Sequence, residues 1–423
     1  METMVDDVPL LPDDVLLEVL ARVAMADVAA LFRCAVSCKR WCGLVADRSF
    51  LRRPWPEDAT HSSALIGFFT MQQCAQGNRD SRYKDWADPC VPPVFVPVPR
   101  SVLGPSRRFL TSLVSGTAAG LLDGARPLAA RGGFLLLRLG QIIYGRADII
   151  RLAVCNPLSG TWDILPPLES MSSASMNYAI VTGEDCGSSS SLFKVLAMSI
   201  NVFDQKKLHC DLRMLTSHEP TTWTARTECF NGDFGIGWQH CPDAVAVVCG
   251  GVAHWLFTYI DYNGGSQLST IDVSAEGGHL ALTKLTFPPT TILPSPTYLA
   301  TVDGKVLLFC FHLTGGHIEG IYDYYVETWA QGDDGTHVRT RAMKLQPPHK
   351  KYQIYPVRSL WSGDKSGTLI VNSRLQLNYE KATDQSLTFV EAADQQFSGM
   401  VTEAVPMEIG WPALFMSRLA RYV

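Results

Sequence analysis

The sequence lacks the short motifs by which many enzymes are recognised. Among its 423 residues there is no Gly-x-Ser-x-Gly nucleophile elbow, no Gly-x-x-x-x-Gly-Lys-Ser/Thr phosphate loop and no His-Glu-x-x-His zinc helix. Its 12 cysteines are too dilute for a disulfide scaffold, and no two of them form a Cys-x-x-Cys pair. We therefore expect no cofactor and no metal, and the chain is predicted not to be an enzyme.

An excess of positive charge is also missing, as are long apolar runs. The formal net charge is −5 and the isoelectric point is near 6.1, which argues against a nucleic-acid-binding protein. The longest apolar stretch, Asp243 to Ile260, is interrupted by glycines and a histidine and is too short to span a membrane. The acidic N-terminus has no signal-peptide pattern. The 47% of hydrophobic residues are enough for a large core. From the charge, the apolar stretch and the N-terminus together, we expect a cytoplasmic or nuclear protein that binds neither membrane nor nucleic acid.

A few cysteines and histidines lie close enough in sequence to raise the question of a metal site. Three cysteines recur at intervals of four near the start, and later Cys310 and His312 would share one face of a strand, with His317 a turn away. Packing in a helix or blade core is the better interpretation, because no ligand set with zinc spacing is complete. The residues concerned are Cys34, Cys38, Cys42, His240, Cys241, His254, Cys310, His312 and His317.

What the sequence does contain is a run of three short amphipathic helices between Leu11 and about Trp55. The first is predicted to begin at Pro12, because a first helical turn tolerates the missing N–H. Asp27 is predicted to cap the second helix and Ser37 the third. The first helix carries one predicted apolar stripe, with Leu17 outside it, and the third helix carries a buried side. The stripe is Val15, Leu16, Val19, Leu20 and Val23, and the buried side is Cys38, Trp41, Leu44 and Val45.

So much apolar surface on about 45 residues exceeds what so small a unit can bury by itself, which predicts a partner surface. The Leu-Pro-Asp-Asp opening, the Leu-Leu-Glu-Val-Leu run and the Cys-Lys-Arg-Trp close also resemble the F-box, although Ser37 stands where F-boxes often carry a β-branched or apolar residue. The resemblance implies docking to the Skp1-type adaptor of a cullin-RING ubiquitin ligase. The residues that would face the adaptor, or the small core behind it, are Leu11, Pro12, Val15, Leu16, Val19, Leu20, Leu31, Cys34, Val36 and Trp41.

An alternative that the pattern leaves open is a helical cap that packs on the downstream domain and binds no adaptor. Such a cap would need fewer apolar faces and no Leu-Pro opening. If the helices dock instead, Leu16→Asp or Leu20→Asp is expected to abolish adaptor binding while the rest of the chain stays folded, because an unpaired charge would lie in the contact.

The rest of the chain has the texture of an all-β protein. From roughly Leu110 onward, short apolar or alternating runs are separated by Gly, Asp, Asn and Pro turns. A loose repeat of roughly 40–55 residues predicts a mainly-β propeller of about six blades, with five or seven also possible. Four of the blade openings are marked by Gly133, Gly251, Gly304 and Gly367. The predicted domains are a small all-α F-box module of three helices over 1–56, a strand with a Pro-rich connecting segment over 57–109, and the propeller over 110–423.

Two segments of the β-rich part resemble the F-box-associated, kelch-like propellers of plant F-box proteins. One runs from Asn156 to Leu168 and reads Asn-Pro-Leu-Ser-Gly-Thr-Trp-Asp-Ile-Leu-Pro-Pro-Leu. The other runs from Pro406 to Met416 and looks like the terminal strand of that family. Because a propeller must close its ring or leave a free edge, we predict that residues 65–69 and the C-terminal segment share a blade.

These features predict a substrate-receptor subunit of an SCF-type ubiquitin ligase. Its F-box would bind a Skp1-like adaptor, and through it a cullin, while the propeller would recruit a protein target. Two alternatives stay open: a propeller that binds protein or carbohydrate by itself, and an enzyme on a propeller scaffold. Aromatic residues are candidates for the target-binding surface, since aromatics are enriched at interaction hot spots. The candidates are Trp86, Trp223, Trp238, Tyr262 and Tyr325.

Overall fold

A computed structural model gives the helices and strands of the chain and the tighter turns between them. In the described part, four helices come first, twenty-five strands follow, and one helix comes last. Within these residues no helix is both long enough and apolar enough to cross a membrane. The described residues are 11–56, 64–72, 93–98, 125–139, 149–156, 161–169, 176–186, 192–204, 206–232, 237–240, 246–260, 266–288, 297–302, 304–314, 323–345, 357–363, 365–366, 368–373, 376–381, 390–391 and 401–419.

The helices are α1 (Asp13–Ala26), α2 (Val28–Ser37), α3 (Lys39–Ala46), α4 (Arg48–Leu51) and α5 (Trp411–Leu419). The strands are β1 (Leu65–Gln72), β2 (Val94–Pro97), β3 (Arg126–Arg131), β4 (Phe134–Leu139), β5 (Ile149–Asn156), β6 (Thr161–Ile164), β7 (Leu168–Glu169), β8 (Met176–Thr182), β9 (Phe193–Asp204), β10 (Lys207–Thr216), β11 (Glu219–Asn231), β12 (Gly237–His240), β13 (Val247–Cys249), β14 (Val252–Ile260), β15 (Ser266–Ser274), β16 (Leu280–Lys284), β17 (Thr297–Val302), β18 (Lys305–Thr314), β19 (Asp323–Gln331), β20 (His337–Leu345), β21 (Val357–Ser362), β22 (Thr368–Ser373), β23 (Gln376–Lys381), β24 (Val390–Glu391) and β25 (Val401–Glu408). A short 3-10 turn, Gly183–Cys186, follows β8.

The described strands form six antiparallel sheets that follow one another along the chain. Five of them are built from consecutive strands, namely β3–β7, β8–β11, β12–β16, β17–β20 and β21–β24. The sixth combines β1 and β2 with β25 from the far end of the chain, in the order β2-β1-β25. We number the sheets as blades: blade I is β25, β1 and β2, and blades II to VI are the other five in chain order.

The innermost strands of successive blades contact one another and so line the inside of a ring. These contacts run from β25 to β3, from β3 to β8, from β8 to β13, from β13 to β17 and from β17 to β21. Buried apolar side chains fill the space between neighbouring blades, as Leu136 of blade II and Ile180 of blade III do in one cluster. The described residues therefore form a β-propeller with six blades, and the predicted mainly-β propeller is confirmed.

Blade I closes the ring by pairing the two ends of the chain. Residues 65–72 of β1 pair with residues 401–408 of β25, which confirms the prediction that these segments share a blade. The predicted connecting segment therefore supplies β1 and β2 to the propeller. On the other side of β25, the carboxylate of Glu408 accepts hydrogen bonds from the backbone N–H groups of Lys365 and Ser366, at 3.1 and 2.9 Å. These two bonds join blade I to blade VI.

A largely buried ion pair joins blades II and III. It lies at the end of the inner strands where Glu408 is found. Arg131, the last residue of β3, donates two hydrogen bonds to the Asp185 carboxylate, at 2.8 and 2.6 Å. The backbone N–H and the hydroxyl of Thr182 donate to the same carboxylate. Burial acts to raise the pKa of Asp185, but the Arg131 guanidinium and the Thr182 donors outweigh it and hold that pKa below its ordinary value of 3.8.

Asp185→Asn is expected to destabilise the propeller by about 3 kcal/mol at neutral pH, because it removes the charge opposite a largely buried guanidinium. The folded pKa of Asp185 lies below the unfolded one, so its stabilisation is complete above the unfolded pKa and is lost as the pH falls through the folded pKa. Urea unfolding at neutral pH and in acid measures this, and the difference from wild type should shrink in acid. Glu18→Gln breaks an exposed ion pair with Arg22 and should cost less than about 0.5 kcal/mol. A loss that is equal in both variants would contradict the prediction.

The capping residues of the N-terminal helices are predicted correctly in one case and not in the other. Asp27 caps α2, since its carboxylate accepts from the N–H groups of the second and third residues that follow it, at 2.8 and 3.1 Å. The Ser37 cap is wrong by one residue: its hydroxyl donates to the Cys34 carbonyl at 2.7 Å, inside α2. Cys38, with an extended backbone, caps α3 instead and accepts from Trp41 N–H. The serine is thus satisfied within its own helix, a common competing use of a serine hydroxyl.

The C-terminal segment corrects the expectation of a single terminal strand. β25 ends at Glu408, and the residues after a short break form α5 rather than more strand. Trp411, Phe415 and Leu419 recur at intervals of four and are all buried, which is the spacing of one helix face. Pro412 lies in the first turn of α5, where a proline is tolerated.

Helix α5 joins the N-terminal helices to the propeller in one apolar core. The Phe415 ring lies 5.9 Å from that of Phe32 in α2 and 5.6 Å from that of Trp55, between ring centroids. Trp411 lies 6.3 Å from Trp55. Met407 of β25 belongs to the same cluster and is completely buried. The inner faces of the N-terminal helices are therefore buried against the body of the protein.

Candidate docking face of the N-terminal helices

Large apolar side chains that remain in solvent are concentrated at the N-terminal end. Of eight such residues in the described part of the chain, five lie between residues 11 and 36 and are 39–61% exposed. The other three, Ile149, Ile164 and Val338, are spread over two blades. The five are Leu11, Val15, Val19, Met25 and Val36. This concentration makes the N-terminal helices the candidate interaction surface, because apolar side chains grouped in water are typical of such surfaces.

Helix α1 has two apolar faces rather than the single predicted stripe. Leu16 and Leu20 point inward and are 5% and 1% exposed, whereas Val15 and Val19 are 42% and 48% exposed. Adjacent residues on an α-helix differ in direction by about 100°, so each pair at a spacing of four lies on a face of its own. Leu17, predicted to lie outside the stripe, packs against the apolar core. The predicted single stripe therefore combines residues of a buried face and of an exposed face.

The ten residues predicted for the adaptor contact, or for the core behind it, fall into three groups. The outward group is Leu11, Pro12, Val15, Val19 and Val36; the half-buried group is Cys34 and Trp41; the interior group is Leu16, Leu20 and Leu31. We call the outward group the docking face. A charge at an interior position is expected to unfold the helices, so Leu16→Asp and Leu20→Asp would not report on docking alone.

Arg40 of α3 links that helix to the start of α1, where Leu11 and Pro12 of the docking face lie. Its guanidinium donates to the Asp13 carboxylate at 2.9 and 2.6 Å and to the Leu11 carbonyl at 2.5 Å. These bonds bring the start of α1 against α3, close to the junction that follows Val36. In the sequence, Arg40 is part of the Cys-Lys-Arg-Trp close, which gives no sign of this contact. Its role could not be found there, since the partner lies 27 residues away.

The one-residue shift of the third cap changes which residues of α3 are buried. Cys42 and Val45 are buried, while Trp41 and Leu44 pack only partly against the core. Cys38, predicted to be buried, is exposed because it is the capping residue. Cys34, Cys38 and Cys42 therefore lie on two helices and a junction, not on one helix face.

The other candidate metal ligands have structural partners or lie outside the described residues. His254 Nδ1 lies 2.7 Å from the Asp272 carboxylate, which also accepts from the hydroxyl of Thr283. Burial raises the pKa of the Cys310 thiol to about 12. His240 and His312 lie in β12 and β18, and Cys241 and His317 fall outside the described residues. Among the residues that the structure describes, no three ligand-type side chains gather at one point.

The aromatic candidates for target binding are scattered. Trp223 is half-buried between blades II and III, and its indole N–H donates to the Pro166 carbonyl at 2.9 Å. Trp238 lies in β12, and Tyr325 is half-buried in β19. Trp86 and Tyr262 lie outside the described residues. A contact of these residues with a target stays a prediction.

Comparison with known proteins bears on the N-terminal helices most directly. Residues 8–53 match the F-box domain, and the N-terminal helices fit an F-box. No curated protein matches the chain. The chain is thus an F-box module followed by a mainly-β propeller.

Solved structures show only a distant likeness to the chain. A Hadza microbial sialidase is 13% identical with a TM-score of 0.36, covering 63% of this chain and 57% of that one, so the chain spans less than two thirds of it. A thermostable family-43 glycoside hydrolase is 11% identical with a TM-score of 0.34, covering 66% and 96%. The β-propeller domain of the Trilobed protease from Pyrococcus furiosus is 9% identical with a TM-score of 0.31, covering 63% and 84%. The propeller fold rests on the blades and inner-strand contacts of this chain, and none of these activities is transferred to it.

Proposed function

We propose that the protein is the substrate-receptor subunit of an SCF-type cullin-RING ubiquitin ligase, with the F-box docking a Skp1-like adaptor and the propeller recruiting a protein target. One observation supports this above the others: α1 buries Leu16 and Leu20 in the body yet presents Val15 and Val19 to water. A helix that served only as a cap would need the first pair and not the second. The second pair gains by burial only if another polypeptide covers it.

In this role the chain carries out no bond chemistry itself. It would hold a lysine of the target where a charged ubiquitin-conjugating enzyme can reach it, which raises the effective concentration of the two reactants. Helix α5 supports such a role because it packs the F-box and the propeller into one core. The orientation of a bound target relative to the adaptor would then be fixed by packing rather than by a flexible linker.

The finer family type is also part of this proposal. The Asn156–Leu168 segment and the ending from Pro406 resemble the kelch-like propellers of plant F-box proteins. We propose that type for the β-rich part, and a cytoplasmic or nuclear location, where cullin-RING ligases act.

Co-elution with a purified Skp1-type adaptor tests the proposal. The full chain and the adaptor are expected to form an equimolar complex on size exclusion, with a Kd below about 1 µM by calorimetry. Elution as separate species, at concentrations well above that value, would contradict the proposal. The chain would then be better described as a binding propeller that acts outside any ligase.

A further inference from the structure

Two arginines lie side by side at the junction of blades II and III. Arg126, the first residue of β3, pairs directly with Arg138 of β4, so the two side chains leave the same face of the sheet. Arg138 is only 6% exposed. Like charges placed opposite each other destabilise a sheet, and burial of one of them adds to that cost.

The buried arginine points toward blade III. Side chains alternate between the faces of a strand, so Arg138 shares its face with Leu136, two residues earlier. Leu136 packs in the cluster that also contains Ile180 of β8 and Val195 of β9. Tyr178, two residues before Ile180, packs against the same cluster from blade III. Arg138 and Tyr178 therefore approach each other from neighbouring blades.

The hydroxyl of Tyr178 is buried and has no hydrogen-bond partner among the described residues. Burial raises the pKa of Tyr178 to about 12, while the positive charges of Arg138 and Arg126 act in the opposite direction. The register places both arginines on the face of blade II that packs against the cluster containing Tyr178. A buried hydroxyl without a partner is costly, so a group that hydrogen-bonds to it would be stabilising at this position.

On blade III, the described row of residues that contains Tyr178 carries no carboxylate that could balance the charge of Arg138. On the face of blade III that carries Tyr178, the nearest carboxylate in the strand register is that of Asp211. It lies on β10, which is two strands away from β8. It already accepts a hydrogen bond from the Thr227 hydroxyl at 2.5 Å. A largely buried arginine and a buried hydroxyl without a partner thus converge at this junction.

We propose that the junction of blades II and III is an oxyanion-binding site, in which Arg138 and Tyr178 hold a phosphate or carboxylate group and Arg126 lies beside it. Guanidinium groups donate paired hydrogen bonds to such oxyanions, and a phenol donates a third. The site is separate from adaptor docking. Arg126 is the first residue of β3, and it is the opposite end of β3 that adjoins α5. There, in the turn after the strand, Gly133 N–H donates to the Glu408 carbonyl.

Calorimetry and thermal unfolding of the full chain test this site, with inorganic phosphate and with acetate as separate titrants at constant ionic strength and chloride as background. At least one titrant should bind saturably and raise the unfolding midpoint, and the stronger of the two names the preferred group. Arg138→Met should weaken that binding about tenfold or more, because it removes a charge-assisted contact, and Tyr178→Phe should weaken it severalfold. Arg151→Met, which removes an exposed arginine of blade II, should leave it unchanged.

Stability without added anion supplies a second readout. Since the described row that contains Tyr178 offers the buried charge no carboxylate, Arg138→Met should be at least as stable as wild type in chloride alone. Equal binding by wild type and both site variants would overturn the proposal, as would the absence of saturable binding of either titrant to wild type. If Arg138→Met does not fold, the arginine is a structural requirement and the proposal fails unless Tyr178→Phe, which deletes a single hydroxyl, shows the loss of binding.

Discussion

Val19→Asp, alone or with Val15→Asp, is expected to remove adaptor binding while the chain stays folded. Val15 and Val19 are 42% and 48% exposed, so the change should alter the free energy of unfolding by less than about 1 kcal/mol. In a complex the same side chains would be desolvated, and a carboxylate there would have no partner. We expect a loss of about 2–4 kcal/mol in binding, or roughly 30- to 1,000-fold in Kd, by calorimetry with a Skp1-type adaptor.

Val338→Asp is the matched control for this experiment. Val338 lies on β20 of blade V and is 53% exposed, so the same substitution is made at a valine of similar exposure but far along the chain from the F-box. It should leave the adaptor Kd unchanged. Retained binding by Val15→Asp/Val19→Asp, with its fold confirmed by circular dichroism, would mean that the docking face lies elsewhere.

Phe415→Ala, near the C-terminal end of the sequence, is expected to open the F-box helices and so to abolish adaptor binding. Phe415 is 2% exposed and packs on Phe32 and Trp55, so its loss leaves a cavity at the centre of the joint between F-box and propeller. Buried phenylalanine to alanine changes cost about 3–5 kcal/mol. That loss falls on the contact between α5 and the F-box helices, so these helices should open before the propeller does. Limited proteolysis within the F-box helices, together with loss of adaptor binding, measures the effect.

Phe309→Ala separates this effect from a general loss of stability. Phe309 lies in β18 of blade V and is also 2% exposed, so its truncation should cost a similar amount. The damage would fall on the propeller, and the variant should still bind the adaptor below its unfolding temperature. If both variants lose adaptor binding equally, the joint made by α5 has no special role in holding the F-box.

Local chemistry was sufficient to predict much of the fold. The first helix, the Asp27 cap and the propeller follow from signals within a few residues, namely a proline at the start of a helix, a capping carboxylate and turn glycines. Of the four glycines predicted to open blades, Gly133, Gly251 and Gly304 have positive φ in the turn after the innermost strand of a blade, and Gly367 lies outside the described residues. The shared blade of β1 and β25 followed from the need to close a ring.

Features that depend on distant partners could not be predicted. Nine residues of α5 give too short a periodic pattern to separate a helix from an apolar strand, and what decides is the groove that Phe32 and Trp55 offer. The division of α1 into two faces depends on where the body of the protein lies. The junction of Arg138 and Tyr178 combines residues from two blades, and no sequence spacing indicates that register.

Side-chain footprinting of the full chain, with and without a Skp1-type adaptor, tests the central claim most directly. With a carbene or hydroxyl-radical reagent, Leu11, Val15, Val19 and Val36 should be labelled in the free protein and protected in the complex. The completely or almost completely buried Leu20, Leu31 and Phe415 should be unlabelled in both states. Protection of the docking face already in the free chain, or unchanged labelling of it in a complex with the adaptor, would contradict the account.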